Sequence, residues 1–97
     1  MMPNESFHNL GLPDSVFWVR DKNRTIVIDI EKKHTLALHG LNEAIWGWLI
    51  LDYSYQQILQ FVKTALEADL GSAEKILLNI LRNWVAAGIL EDLGEID

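Results

Sequence analysis

The stretch from Thr25 to Leu51 constrains the fold most, because the spacing of its apolar residues changes from that of strands to that of a helix. On either side of the polar turn EKK, apolar residues occupy alternate positions: Ile26, Ile28, Ile30, Leu36 and Leu38. Such alternation indicates two strands joined by a tight turn. The spacing then becomes helical at Ala44, Ile45 and Trp48, which predicts a helix directly after the second strand of this hairpin.

The complete sheet is predicted to have three antiparallel strands. The first is Val16 to Arg20, and the turn DKNR joins it to the second at Thr25 to Ile30; the third is His34 to His39. Short turns place consecutive strands side by side, so the second strand is expected in the centre. The third strand is then an edge of the sheet.

Two helices are predicted after the sheet from their start signals. Asn42 is the expected N-cap of the first, which runs to Leu51, with Leu41 packing onto Trp46. The motif S-x-x-Q at Ser54 predicts a capping box for the second. The apolar residues expected on the buried side of the second helix are Ile58, Phe61, Val62, Ala65 and Leu66. Its end is marked by Asp69 and Gly71.

A third helix is expected from Ser72 or a neighbour to Ala87, with Gly88 as its stop and with Ile89 and Leu90 packing back onto the core. Its apolar residues cover about 200° of the circumference, which exceeds the ~100° stripe of a surface helix. Either the helix lies between two core layers, or one flank lines a groove that a partner fills.

Length and composition predict one domain, at 15–92, between a flexible lead-in at 1–14 and an acidic tail at 93–97. The chain has no cysteine, and its longest apolar run, 45–51, is far shorter than the ~20 residues of a membrane span. We therefore expect a cytoplasmic protein without membrane contact. The fold class is α+β and winged-helix-like, with a three-stranded antiparallel sheet followed by three helices.

The charge distribution argues against nucleic acid as the partner. The net charge is −6, yet five of the eight basic residues lie between positions 20 and 33. Those five either keep the hairpin turns solvated or form a basic rim that docks an acidic partner or peptide. A winged-helix DNA-binding regulator is the alternative, but the third helix offers only Lys75 and Arg82, offset by Glu74.

No group of residues predicts catalysis, a metal or a cofactor. His34 and His39 are five apart on one strand and point to opposite faces, so they do not converge on one ion. His8 lies in the lead-in. A lone carboxylate such as Asp29 more often faces water or caps a turn than acts as a general base. The chain is expected not to be an enzyme.

The four tryptophans divide into two pairs of expected roles. Trp46 and Trp84 are expected in the core. Trp18 and Trp48 are expected either at the core edge or on a binding surface.

The chain resembles the PqqD-like family of peptide-recognition domains from Phe17 to Leu90. The resemblance is carried by the hairpin leading into L-N-x-A-x-x-x-W, by SYQQIL at the start of the second helix, and by the closing WVAAGIL. It implies a winged-helix-like module that recognises the leader peptide of a ribosomally synthesised, post-translationally modified peptide. In similar proteins the leader adds as a strand to the edge of the third strand and lies against the third helix.

Carried over to this chain, the resemblance implies a non-catalytic module that binds a precursor leader peptide and presents it to a modifying enzyme or a cysteine leader peptidase. The implied peptide-binding residues are Thr35, Leu36, Ala37, Leu38, His39, Leu78, Arg82 and Val85. The alternative flank of the third helix offers Ile76, Asn79 and Asn83. A monomer or weak dimer is expected.

The sequence of the hairpin turn indicates which subfamily the chain resembles. Proteins of pyrroloquinoline quinone biosynthesis carry an L-Y-P-E-like turn, whereas this chain has EKK. A stand-alone lasso-peptide type is therefore favoured, and a chaperone of the pyrroloquinoline quinone pathway is the alternative.

Overall fold

A computed structural model describes residues 10–92 of the chain. Residues 1–9 of the predicted lead-in and the predicted tail at 93–97 lie outside the described residues. In chain order, the elements are β1 (Leu10–Gly11), β2 (Val16–Asp21), β3 (Arg24–Asp29), β4 (His34–His39), α1 (Gly40–Ile50), α2 (Tyr55–Leu66), α3 (Leu70–Ala87) and β5 (Glu91–Asp92). The expected fold class is confirmed: a three-stranded antiparallel sheet, in the order β2-β3-β4, precedes three helices.

Two tight turns set the register of this sheet. Lys22 and Asn23 join β2 to β3, since Asp21 pairs with Arg24. The four residues at 30–33 join β3 to β4, since Asp29 pairs with His34. Lys22 and Lys33 both have the left-handed backbone that such turns require, with φ values of 58° and 55°.

The central strand buries the opposite face from the one its isoleucines occupy. Thr25, Val27 and Asp29 are buried, whereas Ile26 and Ile28 are only half-buried. Successive residues of a strand point to opposite faces, so Val27 is the one apolar side chain that β3 directs towards the helices. The alternation that identified this strand therefore places its isoleucines on the outer face of the sheet.

The two buried polar side chains of β3 are hydrogen-bonded, which allows them to face inward. Asp29 Oδ1 accepts from the backbone N–H groups of Glu31 at 3.1 Å and Lys32 at 3.2 Å, so Asp29 caps the turn. At the other end of β3, the Thr25 hydroxyl donates to Glu43 of α1 at 2.9 Å.

The N-cap of the first helix lies three residues before the predicted one. It is His39, and no side chain caps the helix, so the assignment of Asn42 as the N-cap was wrong. Gly40 has a φ of 57°, a conformation that costs glycine little, and it turns the chain directly from β4 into the helix. Asn42 consequently lies inside the first turn.

The capping box predicted for the second helix is confirmed. Ser54 accepts from the Gln57 backbone N–H, and the Gln57 side chain accepts from the Ser54 N–H. The predicted buried side was partly wrong: Tyr55, Ile58, Leu59 and Val62 are buried. Of the other predicted residues, Phe61 is half-buried, and Ala65 and Leu66 are exposed.

The junction between α2 and α3 also differs from the prediction. The second helix ends at Leu66, and Glu67 adopts the left-handed conformation after it. Asp69 does not end α2 but caps α3, because its carboxylate accepts from the Ser72 N–H at 2.7 Å. The stop at Gly88 is confirmed by its φ of 83°.

The tryptophans assigned to the core form its centre. Trp46 and Trp84 are 1% and 5% exposed, and their rings meet edge to face at 5.5 Å. Trp18 packs on the other side of Trp46 at 5.9 Å and is 39% exposed. Trp48 is half-buried and packs against Phe61 of α2. Both less buried tryptophans therefore lie at the core edge.

A second, two-stranded sheet joins the ends of the described chain. In it, β1 pairs with β5 through Leu10↔Asp92 and Gly11↔Glu91. Part of the segment expected to be a flexible lead-in is thus paired, and Leu10 and Leu12 pack against the core. Ile89 and Leu90 are buried just before β5, as expected.

Candidate functional site

The backbone groups along the outer edge of β4 can be assigned from the register. The Ile30 N–H donates to the Ser15 carbonyl at 3.0 Å, so Ile30 is directed towards β2. Donors alternate along an antiparallel strand, so β3 residues 25, 27 and 29 are directed towards β4. Their partners, Leu38, Leu36 and His34, pair inward. Thr35, Ala37 and His39 therefore present their N–H and C=O groups at the outer edge.

The two edges of this sheet differ in their protection against a further strand. On β2, Arg20 shares the inner face with Val16 and Trp18, and its guanidinium pairs with Glu43 at 2.8 Å. An inward-pointing charge of this kind discourages strand addition. On β4, the inner-face positions at the centre are Leu36, half-buried, and Leu38, 3% exposed. The edge of β4 is therefore the better acceptor for an extended peptide.

The turn end of the β4 edge meets the C-terminal end of α3. The Lys32 ammonium crosses directly over Gly88, leaving no room for a side chain there. An open cleft of about 450 Å³ lies beside this contact, between the β1–β2 loop, the β3–β4 turn and the end of α3. It is lined by Pro13, Ser15, Asp29, Glu31, Lys32, Val85, Gly88, Leu90 and Glu91. Lys32 was not among the predicted site residues, because its path to Gly88 depends on how the hairpin packs against the helix.

The pKa of Asp29, the buried carboxylate among the residues lining this cleft, is lowered. Burial by itself acts to raise the pKa of Asp29. The backbone N–H of Lys32, the Ser15 hydroxyl, the N–H of Glu31 and the Lys32 charge outweigh burial and hold the pKa below its ordinary value. Asp29 is therefore a carboxylate at neutral pH, and the Lys32 charge favours this ionised form.

The predicted flank of α3 is only partly available to a ligand. Leu78 belongs to the core and is 7% exposed. It lies one turn after Glu74, whose carboxylate accepts from the Tyr55 hydroxyl of α2 at 2.8 Å. Burial, reinforced by this hydrogen bond and the Glu74 charge, raises the pKa of Tyr55 well above its usual range. The first half of this flank therefore packs against α2.

The remaining predicted residues of α3 are more accessible. Val85 is half-buried, and Arg82 is exposed. On the alternative flank, Ile76 is 39% exposed, and Asn79 and Asn83 are exposed. Of the predicted site residues, Thr35, Ala37 and His39 thus present backbone groups at the outer edge of β4, whereas on α3 Val85 and Arg82 are accessible and Leu78 is buried.

The candidate metal ligands do not come together in the part of the chain that the structure describes. His34 and His39 lie at the two ends of β4, and both are exposed. Across residues 10–92, no group of three or more His, Cys, Asp or Glu side chains could hold an ion. His8 lies outside the described residues. No helix of the described chain is both long and apolar enough to cross a bilayer.

The fold has a counterpart among solved structures. TbiB1, solved in complex with the TbiA(beta) leader peptide, superposes with a TM-score of 0.79 at 17% sequence identity. The match covers 87% of this chain and 98% of TbiB1. No protein family and no curated protein matches the chain. The likeness to TbiB1 establishes that the two proteins share a fold.

Proposed function

We propose that this protein is a non-catalytic recognition module that binds the leader peptide of a ribosomally synthesised, post-translationally modified peptide. The leader adds as a fourth strand to the edge of β4, which presents the N–H and C=O groups of Thr35, Ala37 and His39. Main-chain hydrogen bonds supply affinity in this mode, and side-chain contacts set the register. This open edge is the observation that carries the proposal.

Two further observations support a peptide as the ligand. A protein of the same fold was solved with a leader peptide bound, so this architecture is compatible with such a ligand. The β3–β4 turn also meets the end of α3 at Lys32 and Gly88, and we expect side chains of α3 to contact the added strand. The inner-face side chains of an added strand would lie next to Leu36 of β4, which is half-buried and apolar.

The bound leader is then presented to a modifying enzyme or a cysteine leader peptidase. Within this class we favour a lasso-peptide system, because the turn between β3 and β4 reads EKK rather than the L-Y-P-E-like turn of the pyrroloquinoline quinone proteins. A chaperone in pyrroloquinoline quinone biosynthesis is the second candidate within the same fold. The outward N–H groups of β4 would bind a leader peptide in either pathway, so they do not distinguish the two candidates.

A pair of proline substitutions tests the edge. Proline removes the N–H at its position. Ala37→Pro removes an outward donor and should leave the fold intact while weakening leader binding at least tenfold, because one lost hydrogen bond corresponds to about 1 kcal/mol and the ring obstructs the peptide. Leu36→Pro removes a donor directed at β3, so it should destabilise the sheet.

The measurement combines circular dichroism melts with titration of fluorescent peptides made from short open reading frames beside the gene. Ala37→Ser is the matched control, since it changes the same side chain but keeps the donor. A folded Ala37→Pro variant that binds leader as tightly as Ala37→Ser would disprove the edge as the docking site.

A further inference from the structure

We propose that the outer face of the three-stranded sheet docks a second protein, the enzyme that acts on the bound peptide. The contact surface expected on that enzyme is apolar at its centre and rich in carboxylates at its rim. The choice of this enzyme as partner rests on the proposed function. The existence of the docking face rests on the residues of the sheet alone.

The outer face is apolar across its width. The register aligns Phe17, Ile28 and Thr35 in one row across the strands. The next row is Val19, Ile26 and Ala37. An antiparallel sheet with one face in solvent ordinarily alternates apolar and polar residues, with the polar ones outward. On β3 this arrangement is reversed, because the apolar Ile26 and Ile28 face outward whereas the polar Thr25 and Asp29 face inward.

These side chains are accessible within the part of the chain that the structure describes. Phe17 is 52% exposed and Val19 is 53% exposed. Ile30, which follows β3 on the same face, is 60% exposed. The helices contact the other face, where Trp46 meets Trp18 and Glu43 meets Thr25. Contiguous exposed apolar surface of this kind marks protein interaction sites.

The charge around this face specifies the partner. Residues 15–39 carry five basic and three acidic side chains, whereas residues 40–92 carry three basic and seven acidic ones. Lys22 and Arg24 lie at one end of the apolar rows, where Arg24 pairs with Asp21 at 3.2 Å, and Lys33 lies at the other end, in the same turn as Glu31. The sheet layer is therefore basic in a protein of net charge −6. Carboxylates on the partner would complement it.

The same charges disfavour a second copy of this chain as the occupant. In a two-fold dimer the same patch meets itself. Each end of the apolar rows carries a lysine, Lys22 at one and Lys33 at the other, so either antiparallel or parallel stacking of two outer faces brings lysines together. Like charges opposed across an interface oppose association. The proposed docking face uses side chains that point out of the sheet, whereas the β4 edge uses the backbone groups of Thr35 and Ala37, so peptide and enzyme can be held at once.

Substitutions that keep strand propensity test the face. The binding partner in this test is the purified modifying enzyme or leader peptidase encoded beside the gene. Its affinity for Phe17→Thr/Ile28→Thr should fall at least tenfold. The affinity for the fluorescent leader and the melting temperature should stay near those of the unmodified protein. The control Leu51→Thr/Leu70→Thr removes two exposed apolar side chains from the helical layer and should bind the enzyme normally. If the double variant does not fold, the single substitution Val19→Thr tests the same face.

Charge reversal tests the rim. Lys33→Glu should weaken enzyme binding more than Lys75→Glu on α3, and the difference should shrink at high salt because exposed charges are screened.

Enzyme binding that is unchanged in Phe17→Thr/Ile28→Thr, or reduced equally in the helical control, overturns the proposal. A dimer in sedimentation that the outer-face substitutions convert to monomer also overturns it. If the enzyme shows the expected pattern but no leader binds, the docking face stands and the proposed function is wrong.

Discussion

Single residues with polar side chains decide how the elements of this protein begin and turn. Asp69 opens α3 and Ser54 opens α2, each by accepting a backbone N–H of the first turn. Asp29 closes the β3–β4 turn in the same manner. Backbone donors at helix starts and turns lack partners within the element itself, so these side chains satisfy them.

The cap at Asp69 predicts a pH dependence. The backbone N–H and the hydroxyl of Ser72 hold the pKa of Asp69 below its ordinary value. A depressed folded pKa stabilises the fold above the unfolded pKa of about 3.9, and this contribution is lost as pH falls through the folded value. Acid melts of Asp69→Asn should therefore lose stability less steeply below about pH 4 than those of the unmodified protein.

Ser54→Ala is the control for this acid series. It removes a cap that does not titrate, so it should lower the free energy of unfolding by about 1 kcal/mol at every pH. Identical acid profiles for Asp69→Asn and the unmodified protein would show that the Asp69 charge contributes nothing to stability.

At the scale of elements, α3 serves mainly as the central helix of the core. Ala73, Leu77 and Leu81 are each at most 1% exposed, and Leu78 packs with them. The wide apolar arc predicted for this helix is thus explained largely by two-sided packing, with α2 on one side and Trp46 on another. Only the edges of the arc remain for a ligand.

Glutamate substitutions separate the core of α3 from its binding flank. Leu78→Glu buries a charge without a partner and should abolish the folded state at room temperature, as seen in the helical circular dichroism signal. Val85→Glu should keep the helices and weaken leader binding at least tenfold, since Val85 is half-buried beside the cleft. Ile76→Glu, on the opposite flank, is the control and should bind normally. Loss of binding in Ile76→Glu alone would place the leader on the opposite flank.

At the scale of the whole molecule, charge is segregated between layers. The sheet layer is basic and the helical layer is acidic. In a winged-helix DNA-binding protein a helix must carry the cations that neutralise phosphates. Here α3 carries only Lys75 and Arg82 as basic residues, with Glu74 beside them.

This segregation predicts negligible affinity for duplex DNA at physiological salt. Fluorescence anisotropy with a labelled duplex should show no saturable binding in the micromolar range, whereas a leader peptide should bind under the same conditions. Nanomolar DNA affinity with a steep dependence on salt would contradict the peptide-recognition proposal, because counterion release accompanies phosphate contacts.

The sequence alone determined the three strands of the main sheet, the three helices and their order, because periodicity, turn residues and caps are local properties; it did not predict β1, which lies in the expected lead-in. The capping box at Ser54, the stop at Gly88 and the central position of β3 follow from neighbours in the chain. The start of α1 does not follow from local signals. Gly40, with its left-handed backbone, turns the chain into the helix without the side-chain cap predicted at Asn42.

The tertiary structure decided which faces are buried. Three alternating isoleucines identify β3 as a strand, but the hydrogen bonds of Asp29 and Thr25, together with the position of Trp46, turn Val27 inward. The directions of the edge donors on β4 likewise required the register, since a shift of one residue exchanges the two faces. Pairing and packing between distant segments set these features, and no local pattern in the sequence encodes them.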